Sequence, residues 1–260
     1  MNFVSVVAFV SQLFWPRREQ STNDEHEVQC RRMFNNYYKL DNPAWHALTE
    51  THACFAVGNN EVKRYQAEIV AFAAYHSNNK NVFGQFDELI SINESFFIIG
   101  GLPSNTPNYV VESVLPCVQM ICVSEVKTVI AATIKKLDKT DDERLVTLIN
   151  LVQPGYYKPG TRLMGDYYGI YQNEQLVSVT GERMRMYGLT EISAVVTHPD
   201  FTGRKYAQQL IAHVANKNLF AGITPLLHVA ETNERAIKIY EYLGFFKRRI
   251  IDFTKIRRVM

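Results

Sequence analysis

The chain has 260 residues, of which 47% are hydrophobic and 21% charged, as in soluble globular proteins that bury a core. Its formal net charge of +2 and the lack of a basic stripe argue against a nucleic-acid surface. Its four cysteines include no C-x-x-C pair, which argues against structural zinc, so we expect no metal, and free buried thiols in a reducing compartment.

The first 125 residues are predicted to form an N-terminal α/β lobe. The opening apolar stretch, "NFVSVVAFVSQLFWPRR", is shorter than the roughly 20 residues that span a bilayer, and it lacks leading cations. We therefore expect a buried element, no membrane partner and a cytoplasmic protein. The segment "ESFFIIGGLP" predicts a strand ended by Gly100 and Gly101, and "CVQMICV" (117–123) predicts a buried strand.

The second half of the chain shows clearer patterns. A strand is predicted over 126–137, and "DKTDDERLVTLINLV" predicts a helix with acidic residues in its first turn. Three consecutive strands follow, with turns near Asn173–Glu174 and Tyr187–Gly188. The remainder predicts a helix, a short strand in "PLLHVAE", a second helix and a last strand in "FFKRRIIDF". This order predicts a mixed sheet with helices between its strands, an α+β or α/β arrangement.

The stretch "HPDFTGRKYAQQLIAHV" (198–214) combines the end of a strand, a turn and the start of a helix. Ala207, Leu210, Ile211 and Val214 recur at helical spacing and predict an apolar stripe that packs on a sheet. A helix start attracts anions because its first amide groups are unpaired and its dipole is positive there. The two cations of "GRK" at this helix start therefore indicate a phosphate-bearing ligand.

The second helix, in "NERAIKIYEYLGF", has recognisable ends. Asn233 is predicted as its N-cap and Gly244 as the residue that follows its C-cap. Asn233 and Tyr240 are two helical turns apart, so we expect both on one side of the helix. Ile237 and Leu243 are predicted to hold it on the core.

Together, "EISAVVTHPDFTGRKYAQQL" and "LLHVAETNERAIKIYEYLGF" resemble the acetyl-CoA-binding core of the GNAT N-acetyltransferases, over about residues 160 to 252. Within that superfamily the chain is most similar to the subgroup that contains the glycine N-acyltransferases. The resemblance implies an α+β fold with a mixed, mostly antiparallel central sheet flanked by helices. It also implies a GNAT acetyltransferase domain at 126–260 and, at 1–125, a lobe similar to a degenerate GNAT half.

In that family a turn of the pattern R/Q-x-x-G-x-G/A holds the pyrophosphate of coenzyme A with its backbone amides. The best register places Thr202, Lys205 and Ala207 at the three signature positions, so two of the three differ. Because any residue except proline supplies an amide, the resemblance still implies that the turn binds the pyrophosphate through Gly203, Arg204, Lys205, Tyr206 and Ala207. A positive φ at Lys205 is expected to lower the affinity.

The resemblance assigns the rest of the cofactor site as well. The strand backbone at Val195, Val196 and Thr197 would pair with the pantetheine arm, and Asn233 would contact the same arm. An amide near Val195 would meet the oxyanion of the tetrahedral intermediate. Tyr240 matches the tyrosine near the thioester sulfur that donates a proton to the departing thiolate. Without the resemblance, it would be interpreted as an ordinary aromatic residue of the core.

Glu191 lies at the position where several family members carry a general-base glutamate. A protonated amine must lose a proton before it attacks, and a carboxylate can accept it directly or through water. Glu182 is the rival candidate, and a chain of water molecules without a single base is a third. His228 is predicted to be a hydrogen-bonded core histidine rather than a catalytic one.

The leading hypothesis is therefore an enzyme that moves an acetyl group from acetyl-CoA to a primary amine. A small amine or an amino acid is favoured as acceptor over a protein, and the oligomeric state stays open between monomer and homodimer. The alternative, motivated by the altered turn at Thr202 and Lys205, is a non-catalytic module that binds coenzyme A. A dinucleotide-binding Rossmann domain is disfavoured because no G-x-G-x-x-G follows a first strand.

Overall fold

The computed structural model describes residues 37–76, 82–103 and 107–260. The prediction for the opening apolar stretch lies outside these residues. The chain divides after Lys39, and Leu40–Met260 forms one compact unit, which is the part described below.

Strands and helices of this unit build one twisted sheet with helices on its faces. Its strands are β1 Ala56–Gly58, β2 Val62–Tyr65, β3 Phe72–Tyr75, β4 Ser95–Ile99, β5 Tyr109–Ile121, β6 Ile134–Lys136, β7 Tyr167–Gln172, β8 Gln175–Met186, β9 Leu189–Thr197, β10 Thr224–Ala230 and β11 Phe246–Arg258. Its α-helices are α1 Pro43–Thr49, α2 Val82–Phe86, α3 Asp142–Val152, α4 Tyr206–Phe220 and α5 Glu234–Tyr242.

The strand order is β1-β2-β3-β4-β11-β5-β10-β9-β8-β7-β6. Neighbouring strands run antiparallel except for β3 with β4 and β9 with β10. This confirms the predicted α+β fold with a mixed, mostly antiparallel sheet. The sheet continues across the predicted domain boundary at 125–126, because β5 pairs with both β10 and β11. The division into 1–125 and 126–260 stays a prediction.

The helix α4 packs on the sheet as its sequence pattern predicted. Leu210, Ile211 and Val214 are fully or almost fully buried. They belong to a core cluster that also includes Leu227 of β10 and Tyr240 of α5. The stripe therefore fixes the axis of α4 and places its first turn just beyond the end of β9.

The strand predicted over 126–137 is wrong for most of its length, since only Ile134–Lys136 forms a strand. Side chains of α4 hold the rest in an irregular conformation. The Gln209 carboxamide oxygen accepts hydrogen bonds from the amides of Ala131 and Ala132, both at 2.8 Å. The Asn216 carboxamide pairs with both backbone groups of Val126. The backbone groups that a strand would offer to a neighbour are thus bonded to a helix instead.

The other predicted elements of the second half are confirmed, including the turns at Asn173–Glu174 and Tyr187–Gly188 between β7, β8 and β9. The last strand, β11, is longer than predicted. Of the cysteines that the structure describes, Cys117 and Cys122 are buried and Cys54 is exposed; all three are free. Within the described ranges, no helix is both long and apolar enough to cross a membrane.

Candidate active site

The two parallel strands β9 and β10 separate after a short pairing. Their register joins Thr224 to Leu189 and ends at Leu226 opposite Glu191, although β9 continues to Thr197 and β10 to Ala230. Beyond this point, the facing backbone groups of the two strands are not paired with each other. An extended ligand can therefore pair with either strand inside this V-shaped opening, which we call the splay.

A β-bulge bends β9 beside the splay. Val196 pairs with Val179 and Ser193 with Gly181, so Ala194 and Val195 together face a single residue of β8. Ala194 has a φ of 51°. Such bulges redirect the backbone groups of a strand and are frequent next to active sites. The predicted pantetheine and oxyanion contacts at Val195, Val196 and Thr197 lie on this bent part of β9.

The turn before α4 lies directly after β9. Gly203 has a φ of 79°, and Lys205, the N-cap of α4, has φ 59° and ψ 21°. The guanidinium of Arg204 lies over the ring of Phe201, 4.7 Å from its centre. The structure therefore brings both predicted cations and the first amides of a 15-residue helix to the mouth of the splay. It also places a lysine at a left-handed position that favours glycine.

Both ends of α5 are built as the sequence predicted. The Asn233 side chain accepts a hydrogen bond from the Ala236 amide at 3.1 Å, which confirms the N-cap. At the other end the Phe245 amide donates to the Tyr240 carbonyl and the Gly244 amide to the Glu241 carbonyl. These two bonds form a Schellman motif, with φ of 89° at Gly244.

This C-terminal motif positions the side chain of Tyr240. Its ring packs against that of Phe245, with centres 6.2 Å apart. Tyr240 is buried, and burial raises its pKa to about 12, so the phenol stays protonated at neutral pH. Val195 packs against the same apolar cluster. The structure thus brings the predicted proton donor and the bulged strand to one side of the sheet.

Glu191 occupies a different environment from that of an exposed base. Its carboxylate is 1% exposed and accepts two hydrogen bonds from Arg183, at 2.8 and 2.6 Å. His228 Nδ1 lies 2.7 Å from Oε1, and the Met184 amide lies 3.4 Å from Oε2. Burial by itself would raise the pKa of this carboxyl. The charge and hydrogen bonds of Arg183, with the hydrogen bond of His228, outweigh it and hold the pKa well below its usual range.

Glu191 and Tyr240 approach the splay from opposite faces of the sheet. Ile192 belongs to the cluster that contains Tyr240, and successive side chains of a strand alternate between faces. The Arg183 guanidinium lies over the rings of Phe72 and Phe253, on the Glu191 side. Sequence reasoning did not identify Arg183 as a partner of Glu191. Arg183 lies eight residues before Glu191, on the other strand of a hairpin, and this spacing was the sequence signal that could have identified it as a partner.

The rival base, Glu182, is also buried and fully engaged. It is 0% exposed, and its carboxylate contacts Arg185, Lys217 and Asn218. Burial would raise its pKa, but the hydrogen bond and charge of Arg185, followed by Asn218 and Lys217, lower it. Glu182 is therefore no better placed than Glu191 to accept a proton.

A surface groove of about 730 Å³ runs along the start of α5, lined by Thr232, Asn233, Glu234, Arg235, Lys238 and Ile239. Its two cations lie on the exposed side of the helix, next to the residue predicted to contact pantetheine. Within the described ranges, no group of three His, Cys, Asp or Glu side chains is arranged to hold a metal ion.

Comparisons with known proteins agree with this geometry. The family model described as "FR47-like protein" matches residues 167–254, which include β7 to β10, α4 and α5. A protein assigned to the GNAT family of acetyltransferases, from Novosphingobium aromaticivorans, is 28% identical and superposes with a TM-score of 0.79. That alignment covers 86% of this chain and 100% of that one.

A GCN5-related N-acetyltransferase-like protein from Streptococcus suis has the same fold, with 15% identity and a TM-score of 0.50. The alignment covers 89% of this chain and 99% of that one. The comparison with curated proteins gave no match. The fold is therefore that of GNAT acetyltransferases, and the similarity to the Novosphingobium protein indicates an enzyme of this class. The FR47-like region contains the splay and α4.

Proposed function

We propose that this enzyme transfers an acetyl group from acetyl-CoA to a primary amine, and that within the GNAT superfamily it is most similar to the subgroup that contains the glycine N-acyltransferases. The observation that carries the proposal is the splay between β9 and β10, where β9 leads into the turn before α4 and Val195 packs against the core cluster that contains Tyr240. The splay is complementary to the extended pantetheine arm, the N-terminus of α4 to the diphosphate, and Tyr240 to the thioester.

The cofactor site is formed by one strand, one turn and one helix. The amides of residues 203–207 and the charges of Arg204 and Lys205 hold the pyrophosphate at the positive end of α4. The bent backbone of β9 at Val195, Val196 and Thr197 pairs with the pantetheine arm. Asn233 contacts the arm from the start of α5. The thioester then lies in the splay, between the two faces of the sheet.

The chemistry is a direct acyl transfer. The amine nitrogen attacks the thioester carbon, an N–C bond forms, and the C–S bond breaks when the tetrahedral intermediate collapses. An amide near Val195 stabilises the oxyanion. Tyr240 donates its proton to the departing thiolate, for which a phenol that stays protonated at neutral pH is suited.

Glu191 is the base that the resemblance implies, and its surroundings support that role less well than those of Tyr240 support the acid. A carboxylate whose pKa is lowered by an ion pair has a weak tendency to accept a proton. The attacking amine can instead lose its proton to water. The acceptor that we propose is a small amine or an amino acid rather than a protein.

The experiment is a thiol-release assay with acetyl-CoA and a panel of amines. We expect turnover with a small amine, and a kcat lowered by about 100-fold in Tyr240→Phe with little change in the KM for acetyl-CoA. Burial alone raises the pKa of Tyr240, and no described residue forms a hydrogen bond with its hydroxyl, so this variant is expected to fold normally. Normal turnover in Tyr240→Phe would remove its assigned role.

A second candidate is a module that binds coenzyme A without catalysis. Lysine at the left-handed position 205 favours it, because its β-carbon makes that conformation costly and hinders close approach of the pyrophosphate. Calorimetry separates the two candidates: acetyl-CoA binding without turnover of any amine in the panel would favour the module.

A further inference from the structure

One side-chain contact crosses from β9 to β10 where their backbone pairing stops. The last paired residues are Leu226 and Glu191, and His228 follows two positions later on the same face of β10. Its Nδ1 atom lies 2.7 Å from Glu191 Oε1. This contact therefore lies at the closed end of the splay, where the two strands begin to separate.

The exposure of His228 shows which of its groups border the opening. Its side chain is only 2% exposed, whereas the residue as a whole is half-buried. The exposed part is therefore its main chain, at the point where β10 has lost its partner β9. The imidazole is turned inward, and the backbone remains available to a ligand in the splay.

Each partner of this contact is fixed by a further hydrogen bond. Arg183 of β8 holds the Glu191 carboxylate through two nitrogens. On the other side, the Gln119 carboxamide of β5 lies 2.9 Å from His228 Nε2 and also donates to the Leu40 carbonyl. Arg248 of β11 donates to Gln119 Oε1 at 2.8 Å. The chain of contacts spans five neighbouring strands, from β8 to β11.

These partners determine the tautomer of His228. Because Gln119 Oε1 accepts from Arg248, the other end of its carboxamide is the NH₂ group, which donates to Leu40 and to His228 Nε2. Nε2 is then an acceptor, and the ring proton lies on Nδ1, where it is donated to Glu191. Each contact from Arg248 to Glu191 thus joins one donor to one acceptor.

The same accounting leaves Glu191 without a free acceptor site. A carboxylate offers about four lone-pair positions. Two are taken by Arg183, one by His228, and the fourth faces the Met184 amide. A general base needs an open position directed at the amine or at a bridging water.

We infer that Glu191 and His228 are positioning residues, whose contact ties β9 to β10 at the closed end of the splay and sets the opening that receives the pantetheine arm. This inference rests on the proposed function, since it concerns binding of acetyl-CoA in the splay. It changes the role of Glu191 from accepting a proton to holding two strands at the correct separation.

The variants Glu191→Gln and His228→Phe, singly and together, test the tie. We expect each single variant to raise the Kd for acetyl-CoA by about tenfold. The Kd of the double variant should be no higher than the higher of the two single-variant values, because both substitutions remove the same contact. Glu94→Gln is the matched control: it alters another carboxylate paired with an arginine, Arg64 at 2.5 Å, and should leave this Kd unchanged.

A general-base role for Glu191 gives the opposite pattern. Glu191→Gln would then lower kcat with an unchanged Kd, and His228→Phe would bind acetyl-CoA as the unmodified enzyme does. Either result overturns the inference. If the unmodified enzyme does not bind acetyl-CoA at all, the proposed function fails, and the tie is judged by the following measurement alone.

Nitrogen-15 NMR of imidazole-labelled, ligand-free enzyme reports the tie without any substitution near Glu191. We expect His228 to show the tautomer protonated on Nδ1, and slow hydrogen exchange at the amide of Glu191. A His228 tautomer protonated on Nε2 would contradict the network and overturn the inference, whatever the variants show.

Discussion

Lys205 is one of five non-glycine residues with a positive φ among those that the structure describes. Its φ of 59° lies in the left-handed region, which costs an L-residue roughly 1–2 kcal/mol relative to glycine. The turn adopts it because α4 must begin immediately after Gly203 and Arg204, with its axis set by the buried stripe. The lysine contributes a charge near the proposed pyrophosphate, so one residue combines a conformational cost with an electrostatic gain.

Lys205→Gly and Lys205→Ala separate these two effects. Both remove the charge, but only glycine relieves the left-handed strain, so we expect Lys205→Gly to be more stable than Lys205→Ala by about 1 kcal/mol. Acetyl-CoA should also bind more tightly to the glycine variant than to the alanine variant, because glycine has no β-carbon to hinder the approach of the pyrophosphate. Chemical denaturation and calorimetry measure the two differences. Equal stability of the two variants would contradict the strain at this position.

At the scale of elements, α5 depends on its caps. It has nine residues, fewer than an isolated helix needs to be stable in water, so its ends and its packing maintain it. Asn233 closes the first turn and the Schellman motif at Gly244 closes the last. The same motif brings Phe245 against Tyr240. A local capping pattern therefore positions the predicted proton donor.

Substitutions at Asn233 distinguish capping from cofactor contact. Asn233→Ala should lower the free energy of unfolding by about 1 kcal/mol, because the Ala236 amide loses its acceptor. Asn233→Asp keeps an oxygen for the cap but removes the amide donor proposed to contact pantetheine. We expect it to retain stability while the Kd for acetyl-CoA rises several-fold, as measured by denaturation and calorimetry. A destabilised Asn233→Asp variant with an unchanged Kd would argue against both assignments.

For the whole molecule, β5 and β11 join the two halves of the sheet. β11 pairs with β4 on one side and with β5 on the other, and β5 in turn pairs with β10. The buried residues Val118 and Met120 of β5 belong to the core cluster that contains α4 and α5. The proposed acetyltransferase domain at 126–260 therefore shares both its sheet and its core with residues that precede it.

This continuity predicts how fragments behave. A fragment of residues 126–260 lacks β5, so β10 and β11 lose the strand with which both pair. The core cluster also loses the buried residues that β5 contributes. We expect it to show no cooperative thermal unfolding by circular dichroism, whereas a fragment of residues 40–260 should unfold in a single transition. Cooperative unfolding of the shorter fragment would show that the second half folds independently.

Local patterns in the sequence determined much of the fold and part of the site. The stripe of α4, the three strands β7 to β9 and the caps of α5 were predicted correctly, because each depends on residues close together in the chain. The strand predicted over 126–137 was wrong for most of its length, because Gln209 and Asn216 of α4, 77 to 90 residues away, bind its backbone groups.

The surroundings of Glu191 were decided by the tertiary structure alone. Its family position was legible from the spacing to Lys205, but its partners Arg183 and His228 arrive from β8 and β10, and Gln119 arrives from β5. Burial and ion pairing set the properties of a carboxylate, and both depend on which strands become neighbours. The sequence by itself therefore determined where the proposed cofactor motif lies, and only the folded sheet decided which groups Glu191 can bind.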